Sequence, residues 1–138
     1  MISSDLALRL KQAGLEWRPA ERDFFIMPEH NLDGQIFVVS ALPALVQNFR
    51  GEMSITFHGS IEWALDYVVL SEAVWLPTET QLRAALAQAI GDDSPLRLDR
   101  TVAGYRLQIA SGPDLLEFDA ADAEDAYALA LLHVLEAR

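Results

Sequence analysis

Hydrophobic and polar positions near the start of the chain predict a helix followed by a β-hairpin. Apolar residues recur at helical spacing after Ser3 and Ser4, either of which can cap a helix, and Gly14 stands where that helix would end. The segments 23–27 and 35–40 are rich in aromatic and β-branched residues, and an Asp-Gly turn signal lies between them. We therefore expect these two segments to pair as antiparallel strands.

The middle of the chain alternates between helical and strand patterns. A short helix is predicted between Ser40 and Gly51, with apolar residues at i, i+3, i+4 and i+7: Leu42, Leu45, Val46 and Phe49. Residues 53–57 alternate between apolar and polar side chains, which predicts a half-buried strand. A second helix is predicted from Ser60 with Val74 on one of its two apolar faces, although residues 67–70 fit a strand equally well.

The last third of the chain carries sharper signals. Thr78 and Gln81 have the spacing of a capping box and predict a helix over 79–90 that stops at Gly91. Three short strands are then predicted as a meander over residues 96–101, 105–110 and 115–118. A final helix is predicted from Asp119 or Asp122 to Glu136, with acidic residues near its positive end.

This order of elements is typical of an α+β fold. We expect a single domain over residues 1–138, since domains most often have roughly 100–150 residues. In this prediction an antiparallel or mixed sheet, made of the N-terminal hairpin and the C-terminal meander, packs with four to five helices.

Charge and cysteine content exclude several classes of function. The chain has 10 Lys+Arg against 21 Asp+Glu, a net charge of −11, which argues against nucleic acid and against an anionic membrane surface as partners. The absence of cysteine excludes disulfides, thiolate metal sites and cysteine nucleophiles. The N-terminal residues lack the pattern of a secretory signal, so we expect a cytoplasmic protein.

Catalytic motifs are sparse, which favours a non-enzymatic function without a cofactor or metal. The seven glycines form no phosphate-binding loop, and Lys11 is the single lysine of the chain. His58, Glu62 and Asp66 follow an i, i+4, i+8 spacing, but Gly59 separates the histidine from the predicted helix. We therefore predict neither catalytic residues nor metal ligands, and expect a polar edge here.

Aromatic residues supply the alternative of a small-molecule pocket. Tryptophan is enriched at interfaces and pocket walls because its ring is apolar while its N–H needs a partner. The tryptophans at 17, 63 and 75 are the relevant ones. A pocket would be lined by Trp63, Tyr67 and Trp75, with His58, Glu62 and Asp66 at its mouth, and it would bind a small molecule or carry an enzymatic activity.

The final helix favours self-association or another protein partner. Nine of the ten residues from Ala126 to Leu135 are apolar, and a helix that is apolar all round needs burial on more than one side. A central position in the core would satisfy that need, and a two-fold dimer would also satisfy it. Tyr127, Leu131 and Val134 are the candidate interface residues. A protein-interaction or self-associating domain is therefore the leading hypothesis.

Four stretches of the sequence resemble a family of small, uncharacterised bacterial proteins of about this length. They are the opening Met-Ile-Ser-x-Asp-Leu-Ala, the segment Ile-Thr-Phe-x-Gly-x-Ile-Glu-Trp-Ala-Leu-Asp-Tyr-Val, Val-Trp-Leu-Pro-Thr-Glu, and Ala-Glu-Asp-Ala-Tyr-Ala-Leu-Ala-Leu-Leu. The resemblance covers nearly the whole chain. Some members of that family are called pilus assembly protein CpaE, so the resemblance implies at most an accessory role in pilus assembly or secretion, and it transfers no catalytic residue.

Overall fold

A computed structural model describes residues 1–28, 34–39, 44–49, 52–57 and 67–138, with the backbone alone described in 44–49, 52–57 and 67–69. The described elements in chain order are α1 (Ser4–Gln12), β1 (Phe24–Ile26), β2 (Phe37–Val38), β3 (Ala44–Phe49), β4 (Glu52–Phe57), β5 (Tyr67–Val69), β6 (Val74–Leu76), α2 (Glu79–Ile90), β7 (Leu96–Thr101), β8 (Gly104–Ser111), β9 (Asp114–Ala120) and α3 (Ala123–Glu136). The α+β class is confirmed, and every strand pair is antiparallel. Within these residues there are three helices rather than the four to five predicted.

The chain divides into two compact units. Unit 1 combines residues Met1–Leu15 with Pro77–Arg138, and unit 2 is Glu16–Leu76. The predicted hairpin and the predicted meander therefore belong to different sheets, one in each unit, instead of one common sheet. A single domain over 1–138 stays a prediction.

Helix α1 of unit 1 has the ends that its sequence predicts. The Ser3 hydroxyl accepts a hydrogen bond from the Leu6 N–H at 3.2 Å. At the other end, the Gly14 N–H donates to the Lys11 carbonyl and the Leu15 N–H donates to the Leu10 carbonyl. These two bonds define a Schellman motif, and the φ of +103° at Gly14 is one that glycine adopts without strain.

The capping box and the meander of unit 1 are confirmed. Gln81 donates its N–H to the Thr78 hydroxyl at 3.3 Å, and its side chain accepts the Thr78 N–H at 2.9 Å. The three strands that follow pair in the order β7-β8-β9. Leu107 and Ile109 on the central strand are buried and mark the face of this sheet that packs on helix α3.

Helix α3 is the central element of unit 1. It packs against α1, α2, β8 and β9, so its apolar residues are covered on several sides by this unit's own elements. Its six buried residues are Ala126, Tyr127, Ala128, Ala130, Leu131 and Leu132. A central position in the core is thus what buries the apolar residues of α3 on several sides.

Unit 2 contains two three-stranded sheets among its described residues. In the first, with the order β2-β1-β6, the predicted hairpin is confirmed by the pairs Phe24–Val38 and Phe25–Phe37. Strand β6 was not predicted, because Val74 was assigned to a helical face. Val74 lies instead in β6, opposite Ile26 of β1. The prediction of a helix extending to Val74 is therefore wrong.

The second sheet has the order β3-β4-β5, and it includes residues that were predicted to form a helix. Strand β4 is confirmed, but the predicted helix over Leu42–Phe49 is wrong, because Ala44–Phe49 pairs along its whole length with β4. The strand alternative for the segment beginning at Tyr67 is confirmed by β5, which pairs with residues 54–56. The remainder of the second predicted helix, 60–66, lies outside the described residues.

Candidate functional site

Trp75 lies in a row of aromatic residues that crosses the first sheet of unit 2. The strand register places Trp75 opposite Phe25, and Phe25 opposite Phe37. Partners directly opposite each other share one face of an antiparallel sheet. The Phe25 and Phe37 rings lie 5.4 Å apart, and Phe25 is completely buried at the centre of the row.

Trp17 covers this aromatic row. Its ring lies 5.4 Å from that of Phe25, and it stacks on Trp75 at 6.5 Å with an angle of 9° between the ring planes. Separations of about 4.5–7 Å with an offset are those that aromatic pairs prefer. We call Trp17, Phe25, Phe37 and Trp75 the aromatic cluster.

Asp23 fixes the position of Trp17. Asp23 is 4% exposed, and its carboxylate accepts hydrogen bonds from the Trp17 indole N–H at 2.9 Å and from the Ala20 N–H at 3.0 Å. The Asp23 carbonyl also accepts the Val39 N–H at 2.9 Å, which extends the pairing of β1 and β2. A buried carboxylate is costly unless it is hydrogen-bonded, and here the main chain and an indole supply donors.

Trp75 differs from Trp17 in its hydrogen bonding. Its ring is half-buried, but its indole Nε1 is buried and has no hydrogen-bond partner among the residues that the structure describes. An unmade hydrogen bond of this kind costs about 1–3 kcal/mol.

The other predicted pocket residues are not brought together with Trp75 by anything described. His58, Glu62, Trp63 and Asp66 lie outside the described residues. The backbone of Tyr67 begins strand β5, in the sheet that does not contain Trp75. The sequence analysis identified Trp17 and Trp75, but it missed Phe25, Phe37 and the carboxylate of Asp23.

The three candidate interface residues of α3 lie in unit 1. Tyr127 and Leu131 are 3% and 1% exposed, so in this structure both belong to the core. Val134 is half-buried and lines a surface cleft. Burial raises the pKa of the Tyr127 phenol, while the positive charge and the hydrogen bond of Arg83 act in the opposite direction.

The first turn of α3 contains a carboxylate with a raised pKa. Burial is the main cause of the raised pKa of Asp125, and the charges of Asp122 and Glu124 add to it. One oxygen of the Asp125 carboxylate is buried and has no hydrogen-bond partner in the described part of the chain. Its position at the positive end of the helix dipole accounts for an acidic residue here.

One face of the meander carries paired charges. Arg106 on β8 donates two hydrogen bonds to Asp119 on β9, at 2.7 and 3.1 Å, and Gln108 donates to Glu117 at 2.7 Å. The hydrogen bond from Arg106 holds the pKa of Asp119 below its usual range. This pattern is typical of a solvent-facing sheet surface.

The outermost strands of the two units differ in chemistry. Strands β7 and β9 contain charged residues along their length. Strand β2 lies at an edge of its sheet, and the segment 35–39 around it contains no charged residue. In this segment Ile36 is 53% exposed and Val38 is 49% exposed.

Among residues 1–28, 34–39 and 70–138, whose side chains the structure describes, no three histidine or acidic side chains are grouped closely enough to hold a metal ion. Over those same segments, none of the helices combines the length and the apolar character needed to cross a membrane.

Comparison with known proteins identifies no relative of this chain. A scan against protein-family models and searches of curated proteins and of solved structures find no match to this chain. The resemblance to the small bacterial family therefore stays a prediction, and the functional argument depends on the geometry of the described residues.

Proposed function

We propose that this chain is a non-enzymatic protein-interaction domain that pairs with a second copy of itself along strand β2. The observation that carries the proposal is the apolar and charge-free edge that β2 forms in the first sheet of unit 2. Among the described strands, β2 pairs with β1 alone. An edge strand whose outer main-chain groups are open to pairing is a ready template for another strand.

The side chains of this edge favour protein contact over solvent. Ile36 and Val38 are about half exposed, and both are β-branched residues that pack well on a paired strand. Natural proteins protect open edges with charged residues, and the edges of the meander follow that rule. The absence of a charge in residues 35–39 therefore distinguishes this edge from the two edges of the meander.

A second copy is the partner that fits best. When β2 pairs antiparallel with the same strand of another copy, a two-fold axis relates the two copies, so each contact between them occurs twice. The net charge of −11 opposes the approach of two copies over most of the surface. A segment without charges is where that repulsion costs least.

Sedimentation velocity of the whole chain over a wide concentration range tests the proposal. We expect a reversible dimer for the wild-type protein and a monomer for Val38→Lys, because a lysine at the edge blocks strand pairing. Leu115→Lys is the matched control, since Leu115 is 59% exposed and lies on β9. A wild-type chain that stays monomeric, or a Val38→Lys variant that dimerises like the control, contradicts the proposal.

Small-molecule binding beside Trp75 is the second candidate function. It is favoured by the indole Nε1 of Trp75, which is buried without a partner in the described residues, so that a ligand displacing the atoms over it would gain a donor. Native mass spectrometry of the purified chain tests it directly. We expect an added mass per chain that Trp75→Phe removes, and a chain that carries no added mass contradicts this candidate.

A further inference from the structure

Unit 1 contains a surface cleft that the proposed dimer does not use. It lies between the C-terminal ends of α2 and α3 and the end of β8 where the chain turns into β9, and its volume is about 290 Å³. The lining residues are Ala89, Ile90, Ile109, Ala110, Ser111, Leu116, His133, Val134, Ala137 and Arg138. All of them belong to unit 1.

The cleft has the size and the floor of a small-ligand site. Sites for small molecules begin at about 300 Å³ and are lined mainly by apolar side chains, with a few polar groups that orient the ligand. The floor here is aliphatic, with Ile109 only 1% exposed and Leu116 and Val134 half-buried.

The polar groups of the cleft have a common chemistry. Ser111, His133 and Arg138 are its polar side chains, and each of them can donate a hydrogen bond. Among the described residues, no aspartate or glutamate side chain lines this cleft. In a chain with 21 acidic residues against 10 basic ones, a surface site with side-chain donors and without acidic side chains is suited to an anionic head group.

The end of α2 at the cleft does not oppose an anion as strongly as a bare helix end would. Unpaired carbonyls give a helix C-terminus a partial negative charge. At the end of α2, the Arg138 guanidinium donates to the Ala89 carbonyl at 3.2 Å, and the Ser94 hydroxyl donates to the Ile90 carbonyl at 2.8 Å. A guanidinium has five N–H donors, so this bond leaves others for a ligand.

His133 is held in place beside these donors. Its ring lies 5.6 Å from that of Phe118, a tilted aromatic contact, while the residue as a whole stays exposed. The imidazole is thereby oriented at the rim without being removed from solvent.

We propose that this cleft binds a small monocarboxylic acid with an apolar body. The carboxylate contacts Arg138, Ser111 and His133, and the apolar body covers Ile109, Leu116 and Val134. A charge-assisted hydrogen bond to a carboxylate is worth more than a neutral one, so the acid binds about tenfold or more tightly than the alcohol of the same chain length.

Titration of the full chain with hexanoate, followed by ¹H–¹⁵N NMR, is the test. We expect saturable shifts at the backbone amides that border the cleft, and at least about tenfold weaker binding of hexan-1-ol. Arg138→Gln removes the guanidinium charge and lowers hexanoate affinity by about tenfold, while leaving that of hexan-1-ol unchanged.

A pair of tryptophan variants shows whether the cleft itself is the site. Ala137 lines the cleft and is exposed, so Ala137→Trp fills the cleft without entering the core. Ala103→Trp is the matched control, because Ala103 is an exposed turn residue at the other end of β8. Loss of hexanoate binding in the first variant alone supports the proposal. Equal affinity for acid and alcohol, absence of shifts at the cleft, or undiminished binding by Ala137→Trp each overturns it.

Discussion

The two stacked tryptophans of unit 2 allow the contribution of a single hydrogen bond to be measured. Trp17→Phe and Trp75→Phe make the same chemical change in side chains that stack on each other at 6.5 Å. Both variants keep an aromatic ring in the cluster. The difference is that Trp17 donates to the buried carboxylate of Asp23 at 2.9 Å, whereas the buried Nε1 of Trp75 has no partner in the described residues.

The magnitude follows from that difference. A hydrogen bond to a charged group contributes about 1.5–3 kcal/mol, and its loss leaves the carboxylate of Asp23, a residue that is 4% exposed, with one donor fewer. Trp75→Phe removes a buried donor that has no partner in the described residues and costs about 1–3 kcal/mol. Because packing with the smaller ring is lost in both variants, the two hydrogen-bonding effects add, and we expect Trp17→Phe to lower the free energy of unfolding by about 2.5–6 kcal/mol more than Trp75→Phe does.

Urea unfolding followed by far-UV circular dichroism gives this comparison, because the signal does not depend on the tryptophan that is replaced. The urea dependence should be equal in the two variants, so that their midpoints differ through stability alone. Equal destabilisation of the two variants, or a larger loss for Trp75→Phe, would refute the reasoning. In that case the bond between Trp17 and Asp23 would not stabilise unit 2.

Three further predictions concern unit 1. Gly104→Ala should lower the free energy of unfolding by about 2–4 kcal/mol, because its Cβ would collide with the main chain of residues 120–121 at a φ of +145°. Gly112→Ala, where the added Cβ meets open space, should lower it by about 1 kcal/mol. Thermal unfolding measures both losses, and equal losses would contradict the clash at Gly104. Carboxyl NMR titration should find the pKa of Asp119 below and that of Asp125 above the ordinary aspartate value. The stability contributed by Asp119 is then lost as the pH falls through its lowered pKa. The stability contributed by Asp125 is lost as the pH rises through its raised pKa. A raised pKa at Asp119 and a lowered pKa at Asp125 would contradict both assignments. Leu131 is 1% exposed, so Leu131→Ala should lower the free energy of unfolding by about 2–5 kcal/mol. Leu115 is 59% exposed, so Leu115→Ala should change it by less than about 0.5 kcal/mol. Similar effects of the two variants would argue against the central position of α3.

Signals that act within a few residues could be predicted from the sequence. The Thr78–Gln81 capping box and the end of α1 at Gly14 are both present, because each requires bonds between residues that are neighbours along the chain. The meander was predicted for the same reason, since its turns are short and its strands are consecutive. In these segments local preference and tertiary structure agree.

The helix predicted over Leu42–Phe49 failed because its evidence was periodicity alone. The same six residues from Ala44 can pair with β4, and the register from Ala44–Phe57 to Phe49–Glu52 leaves just two residues between the strands, Arg50 and Gly51. That two-residue spacing is the commonest one in hairpins, and it was the signal to use. A short apolar run does not distinguish a helix from a strand until its partner is known.

The candidate site could be predicted in part. Trp75 was identifiable by residue type, but its neighbour Phe25 is fifty positions away in sequence and meets it through an unpredicted pairing of β1 and β6. Asp23 was not identifiable either, because nothing local marks an acidic residue that will accept an indole N–H. The apolar character of α3 correctly indicated burial on several sides, and the structure supplies that burial within unit 1.

The order of the two units along the chain has a consequence during synthesis. Helix α1 is made before α3, on which it packs, and all of unit 2, residues 16–76, is translated between them. At about 5–20 residues per second, that intervening segment alone takes on the order of 3–12 s to emerge. During this interval Ala7 and Leu10, buried in the finished protein, have no α3 to cover them. The nascent chain thus exposes this apolar face of α1 to chaperones long before α3 can cover it.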